Sequence, residues 1–510
     1  MIVVISIDGM DFNLIRKYID SGKLPNIKGL EEKGVYGKNP HKLIANEAMG
    51  WTVFSTGQNM GESGIWDDYF RKDRSKHIPD IKVDSNSIGI ETLTSYLPKN
   101  GQVAVFINNS LLDPVPVVHG GFCVSENKEK DNIIKDTWPE DYKDVLKDKL
   151  IMNRKKIGLD EELEKKVTDD MNFDIVHHFI KDYWVKDQTP DLVLVRLDGI
   201  AKIFEYYYKK SQENGADNSG LDKAIEKYYG YLDEKIGEAL SLLDKEDSLL
   251  IFSPSSMLQP EGFINLNKWL ADNGYLSLKD NAEENDDITE ESVDWKKTKA
   301  WSVGNCGQIY INLKGKEENG IVKEEEYIEL TSEIIDKLKD ALKQEDEKIN
   351  IEANLGENIS FGDKEDLGPD IFVSFNGGEY KVNTGLTGKK IINKYPDGEI
   401  KKCMFPNQVD NYFLLFNPDL EHTGEIEKIK FPSLTSTILD ILEIKIPDEM
   451  EQSVLKVIDV MYLKKDRRAV ADSGSATTAI GLDSKVTAKD SEDGDGQEQQ
   501  VMSRLESLGY

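Results

Sequence analysis

Four short, almost unbroken apolar runs constrain this chain more than any other feature: IVVISID (2–8), QVAVF (102–106), DLVLVRLD (191–198) and DSLLIFS (247–253). Their length suits strands rather than helices, and runs apolar on successive residues must be covered on both faces. Stretches of helical periodicity separate them. Leu14, Ile15 and Ile19 share one face after the first run, and LDKAIEKYYGYLDEKIGEALSLL (221–243) leads into the last. Continuous strands alternating with amphipathic helices predict an α/β fold, a mostly parallel central sheet flanked by helices on both faces.

The pattern changes along the chain. Residues 1–275 read as the α/β core. The stretch from Leu276 to Val293, rich in Asp, Glu and Asn, opens an inserted α+β subdomain spanning 276–402, with a long charged helix at 325–343. Residues 403–466 return to the core through PSLTSTILDILEIKIPDEM (432–450). The segment 467–500 has the Ser, Thr, Gly, Asp and Gln content of a disordered acidic linker. Residues 501–510 place Val501, Leu505 and Leu508 on one helical face and read as a docking tail.

Composition excludes several functions. A net charge of −31 repels nucleic-acid backbones and anionic membranes. No apolar stretch reaches the roughly 20 residues that a membrane helix needs. The first apolar run follows no basic leader and meets Asp8 within a few residues, so a strand is expected there rather than a signal peptide. Cys123, Cys306 and Cys403 are scattered without a CxxC, which argues against a disulfide framework or thiolate zinc site. A soluble cytoplasmic protein is expected.

In open parallel sheets functional groups gather at the carboxyl ends of strands. That directs attention to Asp8, Asp198 and the residues after Phe252. Around them lie blocks such as SIDGMD, LPNIKGLEEKGVYG, GWTVFSTGQNMGESGIWD, GFINLNKWLADNGYLSL and VDWKKTKAWSVG. In order and spacing these resemble the alkaline phosphatase superfamily, in particular its type I phosphodiesterase and nucleotide pyrophosphatase branch. The resemblance implies an alkaline phosphatase-like core and phosphate-ester hydrolysis by a Thr or Ser nucleophile beside two metal ions, held by aspartates and histidines.

Carried over residue by residue, the resemblance meets a dismantled site. The nucleophile lies nine residues before the Thr of the Thr56-Gly57 pair and falls on Glu47. Asp8 and Asp198 occupy retained metal-ligand positions. Lys202 stands where a histidine is expected, and a lysine ammonium only donates. Pro254 and Ser255 replace two further ligands after the fourth strand, and the last histidine falls on Asn407. His177 and His178 lie in an amphipathic helix and read as packing or surface residues. Lys202, one turn after Asp198, is expected to supply a positive charge in place of metal.

The expectation is a catalytically defective pseudoenzyme with a binding or assembly role. An active hydrolase working through one metal or through Glu47 and Asp198 as acid and base is one alternative. A structural subunit with an empty pocket is another. No tightly held cofactor is expected, the alternative being a single Mg or Zn ion held weakly. The expected partners are another protein or a second copy, or a phosphate-ester or nucleotide-like small molecule.

Overall fold

The computed structural model describes residues 1–455 apart from 41–45, 110, 127–133, 151–156, 168, 183–188, 215–217, 256, 258, 281–286, 305–306, 387–389, 397–399, 402–409, 421 and 428. Asn407, Cys306, Cys403, the 467–500 linker and the 501–510 tail therefore lie outside the described residues.

The apolar runs become the middle of a nine-stranded sheet. Strand Ile2–Ile7 lies between Leu192–Leu197 and Ser248–Phe252, parallel to both. Ala104–Ile107 and Phe122–Glu126 continue the parallel block. Antiparallel strands flank it: Ile134–Trp138 on one side, Asp410–Phe416 on the other. The mostly parallel sheet is thus observed, bordered by antiparallel strands.

Side-chain alternation divides the core. Val3, Ile5 and Ile7 join one apolar cluster with the helices Phe12–Asp20 and Asn218–Leu242, while Ile2 and Val4 join a second with Glu47–Thr56 and Ser433–Ile441. Helices therefore cover both faces. The strand Leu192–Leu197 alternates in the same way, with Val193 and Val195 on the first face and Leu192 and Leu194 on the second. Arg196 shares the parity of Leu194 and is in register with Ser6.

A third apolar cluster belongs to the subdomain. It packs a four-stranded sheet and a three-stranded sheet against the helix Glu324–Glu345, which contributes Leu330, Ile334, Leu338 and Leu342. This cluster also takes in Ile264, Leu266, Trp269 and Leu270. The reason is pairing: strand Gly262–Asn265 hydrogen-bonds to Tyr380–Asn383 and Ile392–Lys394, not to the central sheet. Among the described residues, no helix is long and apolar enough to cross a membrane.

Candidate functional site

Three neighbouring strands end together, which brings Asp8, Asp198 and Ser253 to one edge of the sheet. Glu47 reaches the same place from the helix Glu47–Thr56, as its first residue. Asn46 caps that helix by accepting a hydrogen bond from Met49 N at 2.9 Å, and Gly57 closes it at φ 65°. A carboxylate at this end is favoured by the helix dipole. Three carboxylates predicted from sequence are therefore assembled.

The group that holds them was not among the predicted site residues. Arg196, almost fully buried, donates from Nε to Asp8 Oδ2 at 2.7 Å. Its Nη2 lies 2.6 Å from the same oxygen and 2.7 Å from Glu47 Oε1, and its Nη1 lies 4.0 Å from Asp198 Oδ2. Lys202 Nζ sits 2.9 Å from Asp198 Oδ1, one turn into the helix Gly199–Asn214. The charge at the centre is thus a guanidinium, and Lys202 pairs with Asp198 beside it. At separations near ~5 Å and an effective dielectric of 20, two bare carboxylates repel by about 3 kcal/mol, so an interposed cation offsets a substantial cost.

Burial raises Asp8 to about 7, against the lowering effect of Arg196 and with Glu47 adding to the rise. For Arg196, burial pulls the pKa down, but Asp8, Glu47 and Asp198 together outweigh it and hold the group cationic above its ordinary value. Asp8 Oδ1 and Arg196 Nη1 are buried without a hydrogen-bond partner. The site opens toward solvent at Glu47 and Lys202, whose side chains are 22% and 23% exposed, against 1% for Asp8.

The residues in the remaining ligand positions serve the backbone. Ser253 Oγ accepts from Met10 N at 3.1 Å and donates to Ser255 O at 2.7 Å, while Gly9 N donates to Ser255 O at 2.9 Å. The Ser253-Pro254-Ser255 turn thereby locks onto the turn after Asp8. Gly9 requires its φ of +84° and its missing side chain there, because a Cβ would meet Met257 Cγ at 2.6 Å. His178 is buried, with Nε2 2.6 Å from Tyr142 OH, and His177 is exposed, so neither approaches the site. Burial pushes the thiol of Cys123 up, which keeps it inert.

The donor set does not fit a pair of metal ions. Among the described residues no group of three or more His, Cys, Asp or Glu side chains is placed to hold one. Zinc sites need imidazole, thiolate or convergent carboxylate ligands, and here the three carboxylates are spread around a guanidinium.

An inactive variant of murine ectonucleotide pyrophosphatase/phosphodiesterase 5, solved in complex with AMP, is 13% identical, with 88% of this chain and 96% of that chain covered at a TM-score of 0.48. The human ectonucleotide pyrophosphatase/phosphodiesterase 5 is also 13% identical over the same shares, at a TM-score of 0.46. Phosphonoacetate hydrolase from Sinorhizobium meliloti, in complex with phosphonoformate, is 14% identical, with 81% of this chain and 89% of that chain covered at a TM-score of 0.49. Among curated proteins none matches the sequence. The model of the type I phosphodiesterase / nucleotide pyrophosphatase family matches residues 2–385, most of the 510-residue chain, and the protein belongs to that family.

Proposed function

We propose that this chain is a non-catalytic member of its family, kept in the cytoplasm for assembly with a protein partner. The observation that carries the reading is the state of Glu47: at the nucleophile position stands a carboxylate, ion-paired to Arg196 at 2.7 Å. A carboxylate held in this way lacks the hydroxyl that the family's chemistry uses. The ligand class implied by the family, a phosphate ester, is also poorly matched. Three carboxylates outnumber Arg196 and Lys202, and a phosphate dianion entering beside them would meet net negative charge.

One observation favours an acid-base hydrolase instead, namely the rise of Asp8 to about 7, where a carboxyl can exchange protons near neutrality. Geometry opposes it. Asp8 has 0% of its surface exposed and is bonded to Arg196, so a substrate oxygen reaches it only if the site is rebuilt.

The test is hydrolysis of bis-p-nitrophenyl phosphate with and without added zinc or manganese. Wild type should remain at background, and Glu47→Thr should not restore turnover, because a hydroxyl alone brings no cations. Turnover by wild type that disappears in Glu47→Ala would overturn the non-catalytic reading.

A further inference from the structure

We infer that Arg196 is the built-in cation of this site, standing where the family's fold would place metal ions and excluding divalent ions from it. Its planar fork sets the spacing. Nε and Nη2 both reach Asp8 Oδ2, at 2.7 and 2.6 Å, Nη2 also reaches Glu47 Oε1 at 2.7 Å, and Nη1 faces Asp198 Oδ2 at 4.0 Å. Asp8 Oδ2 and Glu47 Oε1 thus converge on one guanidinium nitrogen, which fills the place that a small ion between them would take, while Asp198 stands apart at the other end of the fork. The charge is also permanent, since arginine does not deprotonate in proteins. A divalent ion would therefore have to enter beside a fixed positive charge and displace contacts already made.

Placement gives the guanidinium its anionic surroundings. Arg196 lies on a central strand, in register with Ser6 and with the parity that points toward the helix Glu47–Thr56. An arginine enclosed there requires anionic partners, and the carboxylates at the strand ends supply them. Lys202 completes the arrangement by pairing with Asp198 Oδ1 at 2.9 Å. The unpartnered Arg196 Nη1 and Asp8 Oδ1 mark where the fit is incomplete.

Manganese(II) and zinc(II) chloride are the probes, read by calorimetric titration, elemental analysis and melting temperature on the full chain. Wild type should bind neither stoichiometrically at millimolar concentration, and its melting temperature should not move. Arg196→Ala should melt lower and bind manganese roughly tenfold or more tightly than wild type, because the carboxylates lose their counter-ion. Manganese should then raise its melting temperature. Should that variant not fold, Arg196→Gln, which keeps a planar polar group without the charge, carries the same test.

Stoichiometric metal in wild type would overturn the inference. So would a folded neutral variant with unchanged melting temperature and no gain in manganese affinity. The outcome is separable from the assembly reading. Metal-free hydrolysis by wild type would sink that reading alone, whereas metal binding without hydrolysis would sink only this one.

Discussion

Asp370, in the subdomain, shows how a single carboxyl sets a pH dependence. Its Oδ2 accepts from Ile311 N at 2.6 Å and its Oδ1 from Tyr327 OH at 3.0 Å. Burial nevertheless raises it from 3.8 to about 6, against those hydrogen bonds and Arg74, with Glu317 adding to the rise. A raised folded-state pKa means that the folded chain binds the proton more tightly than the unfolded one. The associated stability is fully present below the unfolded value and is lost as pH rises from about 4 through about 6. The loss is at most about 3 kcal/mol, and smaller to the extent that solvent reaches this half-buried group. Asp370→Asn should therefore match wild type near the acid end of this window and exceed it in stability above pH 7. Urea titrations at both ends would show it, and equal pH slopes for the two proteins would refute it. At this scale Asp8, Glu47, Asp198 and Lys202 were legible from order and spacing. Arg196 was not singled out, although a charged residue inside DLVLVRLD, a strand expected to be covered on both faces, was itself the signal of a buried ion pair.

The turns are where ligand positions became scaffold. Gly9 N and Met10 N both donate to the Ser253-Pro254-Ser255 turn, so the two loops that border the site are joined by hydrogen bonds. Gly9→Ala tests this coupling, because it forces a side chain into positive φ against Met257 and Ile200. Left-handed backbone alone costs about 1–2 kcal/mol for a residue with a Cβ. The expected result is a loss of at least that size by denaturant unfolding; a neutral substitution would mean the turn tolerates rebuilding. Sequence pattern placed the four apolar strands and the long helices, because their periodicity reflects direct burial. Long-range strand pairing leaves no such periodicity. Strand Gly262–Asn265 has the composition of a core strand, and only its long-range pairing with Tyr380–Asn383 and Ile392–Lys394 assigns it elsewhere.

At the level of the whole molecule, a buried ion triad ties the subdomain to the 71–74 segment of the chain. Arg71 donates from Nη1 and Nη2 to the two oxygens of Glu317 at 3.0 and 3.1 Å, Arg74 Nη1 reaches Oε1 at 2.5 Å, and the Glu317 side chain is 0% exposed. Arg71 also lies 4.9 Å over the ring of Tyr310, and nearby His77 stacks on Trp295 with ring centroids 3.8 Å apart. Glu317→Gln keeps the volume but leaves two largely buried guanidinium groups without their counter-ion, a change that costs about 3–5 kcal/mol when a buried pair is broken. The loss falls on the joint between subdomain and core, so cooperativity should suffer with stability. Trp269, Trp295 and Trp301 lie in the subdomain cluster and Trp51 and Trp66 in a core cluster, so tryptophan fluorescence reports on both parts. In Glu317→Gln the fluorescence transition in urea should therefore split into two steps, while in wild type it is single. A single transition in the variant, at an unchanged midpoint, would show that apolar contacts such as Trp66 against Phe372, rather than the triad, hold the two parts together.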